Sequence, residues 1–203
     1  MKIMEKNWGN PAPTGFAAFA MITGMLGLNF AGYLPHENFA AFFALSIAGG
    51  AAQIISGIID LKRGEDFAGN LLLTMGCLFF LAPGLTILLT AMKLTTPVPI
   101  LGYLFIMLGI FLSLYIIPMV RAPWFVFTMG PIGAIGLFEI GLIDLGYVGL
   151  KPIGAITMAY LCFWALYMVA HNVALPAGIN IPLGKPLTVA QPKSSLEQPV
   201  AAR

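Results

Sequence analysis

Six apolar runs, each about the length of a bilayer-crossing helix, decide what this chain can become. They cover residues 13–33, 40–61, 67–92, 99–120, 124–145 and 153–174. A hydrocarbon core about 30 Å thick takes about 20 helical residues to cross. Charge or proline fills every gap between the runs, at residues 34–38, 62–66, 93–97, 121–123 and 149–152, where loops collect such residues. The apolar–polar alternation of a β-barrel strand is not found, so the runs read as helices. The expected fold is an all-α polytopic membrane protein with six transmembrane helices. Of the 203 residues 59% are hydrophobic and only 9% charged, against roughly a quarter charged in a soluble domain. Lipid must be the solvent. A net charge of +2 gives no footprint for nucleic acid.

Lysine and arginine set the expected direction. With a cytoplasmic N-terminus, one side holds Lys2, Lys6, Lys62, Arg63, Arg121, Lys185, Lys193 and Arg203; the other holds Lys93 and Lys151. The positive-inside rule then puts both termini in the cytoplasm, with His36 outside and the plasma membrane as the expected location. The organisation expected is a cytoplasmic segment 1–12, a six-helix domain 13–184 and a polar, proline-bearing, disordered cytoplasmic tail 185–203. The N-terminus does not read as a cleavable signal, because Glu5 offsets a lysine and prolines precede the first run. Cys77 and Cys162 lie deep in apolar runs and read as small packing residues.

The stretch NPAPTGF, residues 10–16, opens the first span. Proline is tolerated in a helix's first turn, where its missing N–H has no partner to lose. Asn10 is a favoured N-cap. The positive end of this helix dipole favours an anion. A cap that only fixes how the chain enters the first span remains the alternative. Asn-Pro-Ala also occurs in water channels, but there as two copies at mid-membrane; here it stands once, ahead of the first span.

Small residues crowd the spans: Gly130, Gly133 and Gly136 recur every third residue, and Gly49, Gly50, Ala51 and Ala52 precede Gln53. They read as close helix packing, or as the wall of a narrow conduit. Donors that could offset the water lost by a carboxylate are Asn10, Gln53, Thr74, Thr128 and Asn172. Two acids lie in the fifth span. Asp144 falls near its outer end. Glu139 is deeper; it reads as a proton carrier, or as a carboxyl hydrogen-bonded to a neighbouring helix or reaching outward. His171, in the last turn of the sixth span, is favoured by the helix dipole there and is also a candidate proton sensor. Asp60 reads as ending the second span at the interface. No metal-ligand spacing, cofactor motif or nucleophile–base pair stands out, so the chain does not read as an enzyme.

Three segments resemble one family. NPAPTGF is similar to the Asn-Pro-Ala-Pro-Leu-Gly-Leu signature of the acetate uptake transporters, which include bacterial succinate–acetate permeases and yeast acetate and ammonia exporters. Residues 52–57, AQIISG, followed by DLKRG at 60–64, resemble the family's Ala-Gln-Ile-x-Ala-Gly run and its acidic-x-basic-basic-Gly loop. IPLG at 181–184 is similar to its closing Leu-Pro-x-Gly. The resemblance implies six helices around a pore in each protomer, assembly as a hexamer, and acetate, related monocarboxylates or succinate as substrate, moved with protons or by a channel-like route. It also implies a hydrophobic ring at the narrow point. Phe19 matches the ring's Phe. Met75 falls where the family has Tyr, a departure, and the ring's Leu falls near Pro131 and Ile132. A conduit for urea or ammonia, and a structural membrane scaffold, are the competing readings of the same sparse charge.

Overall fold

A computed structural model describes residues 8–35, 39–94 and 99–188. Helices α1 (Ala12–Phe30), α2 (Phe39–Lys62), α3 (Asp66–Thr74) and α4 (Ala82–Ala91) are followed by α5 (Ile100–Met119), α6 (Trp124–Asp144) and α7 (Lys151–Ala174). A π-helical segment, Met75–Leu81, joins α3 to α4, so that Asp66–Ala91 is a single span of 26 residues. Six spans result, one for each apolar run, with ends shifted by a few residues. His36 and the chain beyond residue 188 lie outside the described residues.

The start of α1 shows how local chemistry sets a boundary. Pro11 stands at the cap and Pro13 in the first turn. The Asn10 side-chain oxygen accepts the Ala12 N–H at 3.0 Å, and the Pro11 carbonyl accepts from Thr14 and Gly15. Asn10 thus ties down the first helical amide from one residue ahead of the cap.

The spans close a ring in chain order: α1 packs on α2, α2 on α3 and α4, the π segment on α5, α5 on α6, α6 on α7, and α7 back on α1. Glycine permits two of these crossings. A Cβ on Gly57 would lie 2.8 Å from the Gly69 carbonyl oxygen, and one on Gly141 only 2.7 Å from that of Gly102. Backbones therefore touch directly between α2 and α3 and between α5 and α6, as small residues allow in lipid. Gly49 faces the Phe80 ring of the π segment. Outward-facing side chains stay apolar; Ile117 is 71% and Ile156 73% exposed. That is what a lipid-facing surface requires and a water-facing one avoids.

Asp60 falls at the end of the second span, as expected, just before α2 stops at Lys62, and its side chain is buried; its carbonyl accepts the Arg63 and Glu65 amides as α2 ends, and Arg63 and Glu65 form an ion pair at 2.8 Å. Two other expectations change. Cys77, within the π segment, is exposed instead of packed. The chain from 185 is not free at its start: residues 181–188 run as a strap across the ends of α6 and α7. Its Leu183 and Lys185 carbonyls accept the Phe125 and Trp124 amides at 3.2 and 3.0 Å, and the Thr188 N–H reaches Val120. The strap satisfies amides that a helix N-terminus otherwise leaves without partners.

Candidate functional site: a small cavity at the centre of the ring

At the centre, side chains from five of the six spans line a cavity of about 10 Å³, room for about one water. Phe19 and Thr23, one turn apart on α1, face Met75 and Phe79 of the π segment. Leu112 of α5, Met129, Gly133, Leu137 and Ile140 of α6, and Met158 and Leu161 of α7 complete the wall. The Phe19 and Phe79 ring centroids are 6.3 Å apart, and Phe79 is held edge-on by Phe80 at 5.2 Å and Phe105 at 6.0 Å. A π-helix has a wider turn than an α-helix, and here Met75 and Phe79, four residues apart, both reach the cavity.

Thr23 is the one hydroxyl, amide or charged side chain on this wall. It is fully buried, and its hydroxyl donates back to the carbonyls of Phe19 at 2.8 Å and Ala20 at 3.2 Å. Hydroxyls in helix interiors commonly bond back in this way. What it turns to the cavity is therefore acceptor capacity.

Of the residues singled out in the sequence, Phe19, Met75 and Gly133 meet here; the candidate polar and titratable residues do not. Asn10 and Asn172, 162 residues apart in sequence, join at the end of the bundle where α1 begins and α7 ends. The Asn10 amide donates to the Asn172 side-chain oxygen at 3.0 Å, and the Asn172 amide donates to Met168 at 2.8 Å. Gln53 is buried between α1 and α2, its amide nitrogen 3.2 Å from the Gly15 carbonyl and its oxygen without a partner. Ser56, one turn on, donates to Pro11 at 3.3 Å. Thr74 is half-buried where α3 gives way to the π turn. Thr128 donates to Phe125 at 2.7 Å and accepts from the Tyr160 hydroxyl at 2.6 Å, a brace between α6 and α7.

Glu139 is buried on α6 with the Thr157 hydroxyl of α7 beside it. One carboxyl oxygen has no partner, and the side chain is not part of the cavity wall. His171 is half-buried with Nδ1 2.7 Å from the Ile181 carbonyl of the strap; a carbonyl only accepts, so Nδ1 carries the hydrogen. Asp144 is exposed at the end of α6. Pro131 and Ile132, near which the third ring position was expected, do not line the cavity; α6 presents Met129, Gly133, Leu137 and Ile140 instead. Thr23 and Phe79 went unnoticed in the sequence, although each lies one turn beyond a residue that was noticed.

The fold and cavity define a polytopic membrane protein in which six spans surround a central, aromatic-sided constriction. No family model matches the chain. Over 78 residues it is 37% identical to the meiotically up-regulated gene 86 protein of Schizosaccharomyces pombe, a match covering 35% of this chain and 24% of that protein. Over 58 residues it is 36% identical to the succinate-acetate/proton symporter SatP of Escherichia coli K12, covering 29% of this chain and 30% of that one. The matched stretches thus span less than a third of these relatives' lengths. The solved structure of the bacterial acetate channel SatP superposes with a TM-score of 0.79 over 87% of this chain and 99% of that chain, at 22% identity. The six-span fold is that of SatP.

Proposed function

We propose that this protein carries acetate and related short monocarboxylates across a membrane, by a route through the centre of its own six-helix ring. The observation that carries this reading is the likeness of the whole fold to the acetate channel SatP, reinforced by local identity to a succinate-acetate/proton symporter. An apolar constriction between Phe19 and Phe79 suits a methyl group and hinders hydrated inorganic ions. The chain's membrane is the plasma membrane in this reading, its termini are cytoplasmic on the lysine and arginine distribution, and six copies assemble by analogy with the resembling family.

Roles follow from position. Asn10 and Asn172 form a polar pair at the mouth, where exposed amides can exchange their mutual hydrogen bond for one to a carboxylate. Phe19 and Met75 shape the constriction together with Phe79. Gln53 and Thr128 hold helices in register, and Thr74 sets the start of the π turn. Glu139 braces α6 against α7, and His171 holds the strap; neither touches the cavity. Transport, rather than catalysis, is the activity.

Labelled acetate uptake into proteoliposomes, set against protein-free vesicles, tests the reading. Uptake several-fold above the protein-free rate, and larger for acetate than for urea, is expected. Equal rates in both vesicle types would overturn it.

A further inference from the structure

Sulfur is concentrated on the cavity wall. Of the 203 residues 11 are methionine, yet Met75, Met129 and Met158 make up three of the eleven residues that line the cavity. They come from three different elements, the π segment, α6 and α7, so they meet at one space rather than forming a stripe along one helix. All three are buried. The Met129 sulfur stands 3.9 Å from where a Cβ on Gly133 would lie, and Gly133 is itself part of the wall. Any one of these side chains could serve as a flexible filler of a core gap. Three thioethers around a single water-sized space are also a ligand set. Soft thioether sulfur selects copper(I), whereas magnesium and calcium need several oxygens and zinc takes imidazole, thiolate or carboxylate. The wall has one side-chain oxygen, that of Thr23, and no carboxylate, imidazole or thiol.

We propose that Met75, Met129 and Met158 form a three-sulfur site for a soft monovalent cation, copper(I) or its silver(I) analogue, at the centre of the ring. The space left between them suits an ion that has shed its water. Metal–sulfur bonds of about 2.3 Å are reached as the three side chains draw in, by rotation about bonds that methionine turns freely. Neutral ligands leave the charge of the ion uncompensated in apolar surroundings, which costs a divalent ion far more than a monovalent one. Ligand softness and charge therefore select the same class of ion. The site stands apart from the acetate reading. It occupies the same constriction, however, so a bound ion closes that route.

The test uses full-length protein carrying Cys77→Ala and Cys162→Ala, because free thiols compete for copper(I). In chloride-free detergent buffer, copper(I) held reduced by ascorbate and competed against bicinchoninate is expected to bind as one ion per chain. Its X-ray absorption spectrum should show a shell of three sulfurs, and zinc(II) and sodium should not bind. Met75→Leu, Met129→Leu and Met158→Leu conserve volume. Each should weaken binding by about tenfold or more, since changes outside the ligand shell alone cost a metal site that much, and the triple variant should not bind. Met107→Leu, on the exposed face of α5, should change nothing. In liposomes, silver(I) should stop protein-dependent acetate flux and leave the triple variant running. No copper(I) uptake, uptake unchanged in the triple variant, a shell of nitrogen and oxygen, or undiminished acetate flux in silver-loaded protein would each overturn the proposal. Should the triple variant not fold, the stoichiometry and the sulfur shell of the parent protein decide alone. Copper(I) binding without any acetate flux would remove the transport reading and leave the site; acetate flux without copper(I) binding would do the reverse.

Discussion

Phe19 sits 7% exposed where α1 meets the π segment, and its ring can be either a gate or a core residue. Truncation separates the two roles. Phe19→Ala removes a wedge from the constriction, so butyrate should gain on acetate. The same change should also destabilise the fold by about 3–5 kcal/mol, the usual cost of a cavity left by a buried aromatic. The butyrate-to-acetate flux ratio, measured on monodisperse mutant protein, checks this; an unaltered ratio would take Phe19 off the path. Phe19 was legible through the family resemblance, whose ring Phe lies in the first span after the Asn-Pro-Ala-Pro start. Phe79 was not, since its direction depends on a π turn, and nothing in MGCLFFL announces an extra residue per turn. The α6 contribution was misplaced toward Pro131 and Ile132 for a related reason. That helix is apolar on all sides, so hydrophobic pattern gives its length and not its rotation.

At the scale of elements, helix ends were read closely, because proline, charge and span length all constrain them together. The way elements are fastened was less visible. Composition presents the C-terminal chain as polar and unstructured, yet residues 181–188 supply the backbone carbonyls that α6 lacks at its start. Backbone pairing leaves no trace in side-chain chemistry. Gly184, at φ +82°, lets the strap pass over Trp124, and a Cβ there would run into the indole. Gly184→Ala should therefore loosen the strap, seen as faster hydrogen exchange at the Trp124 and Phe125 amides; unchanged protection would contradict the fastening described. The α5–α6 crossing gives a second test. Gly141→Ala forces a methyl group against the Gly102 carbonyl and should lower stability by about 1–3 kcal/mol. Gly149→Ala, where nothing lies within 4 Å, should be nearly neutral. Equal melting temperatures for the two variants in detergent would argue against direct backbone contact at that crossing.

For the whole molecule, six spans imply that chain segments alternate sides. Single cysteines placed at Lys93 and Lys185 should react with an impermeant reagent from opposite faces, Lys185 from the cytoplasmic one. Labelling from the same face would break the six-span reading. Under the transport reading proposed above, the sparse charge of the bundle and a wall with one hydroxyl suit a small solute at the narrowest point. Acetate flux into proteoliposomes, referenced to empty vesicles, addresses the central claim most directly. The account predicts acetate entry several-fold faster with the protein than without it. Vesicles with protein that admit acetate no faster than vesicles without it would contradict the account.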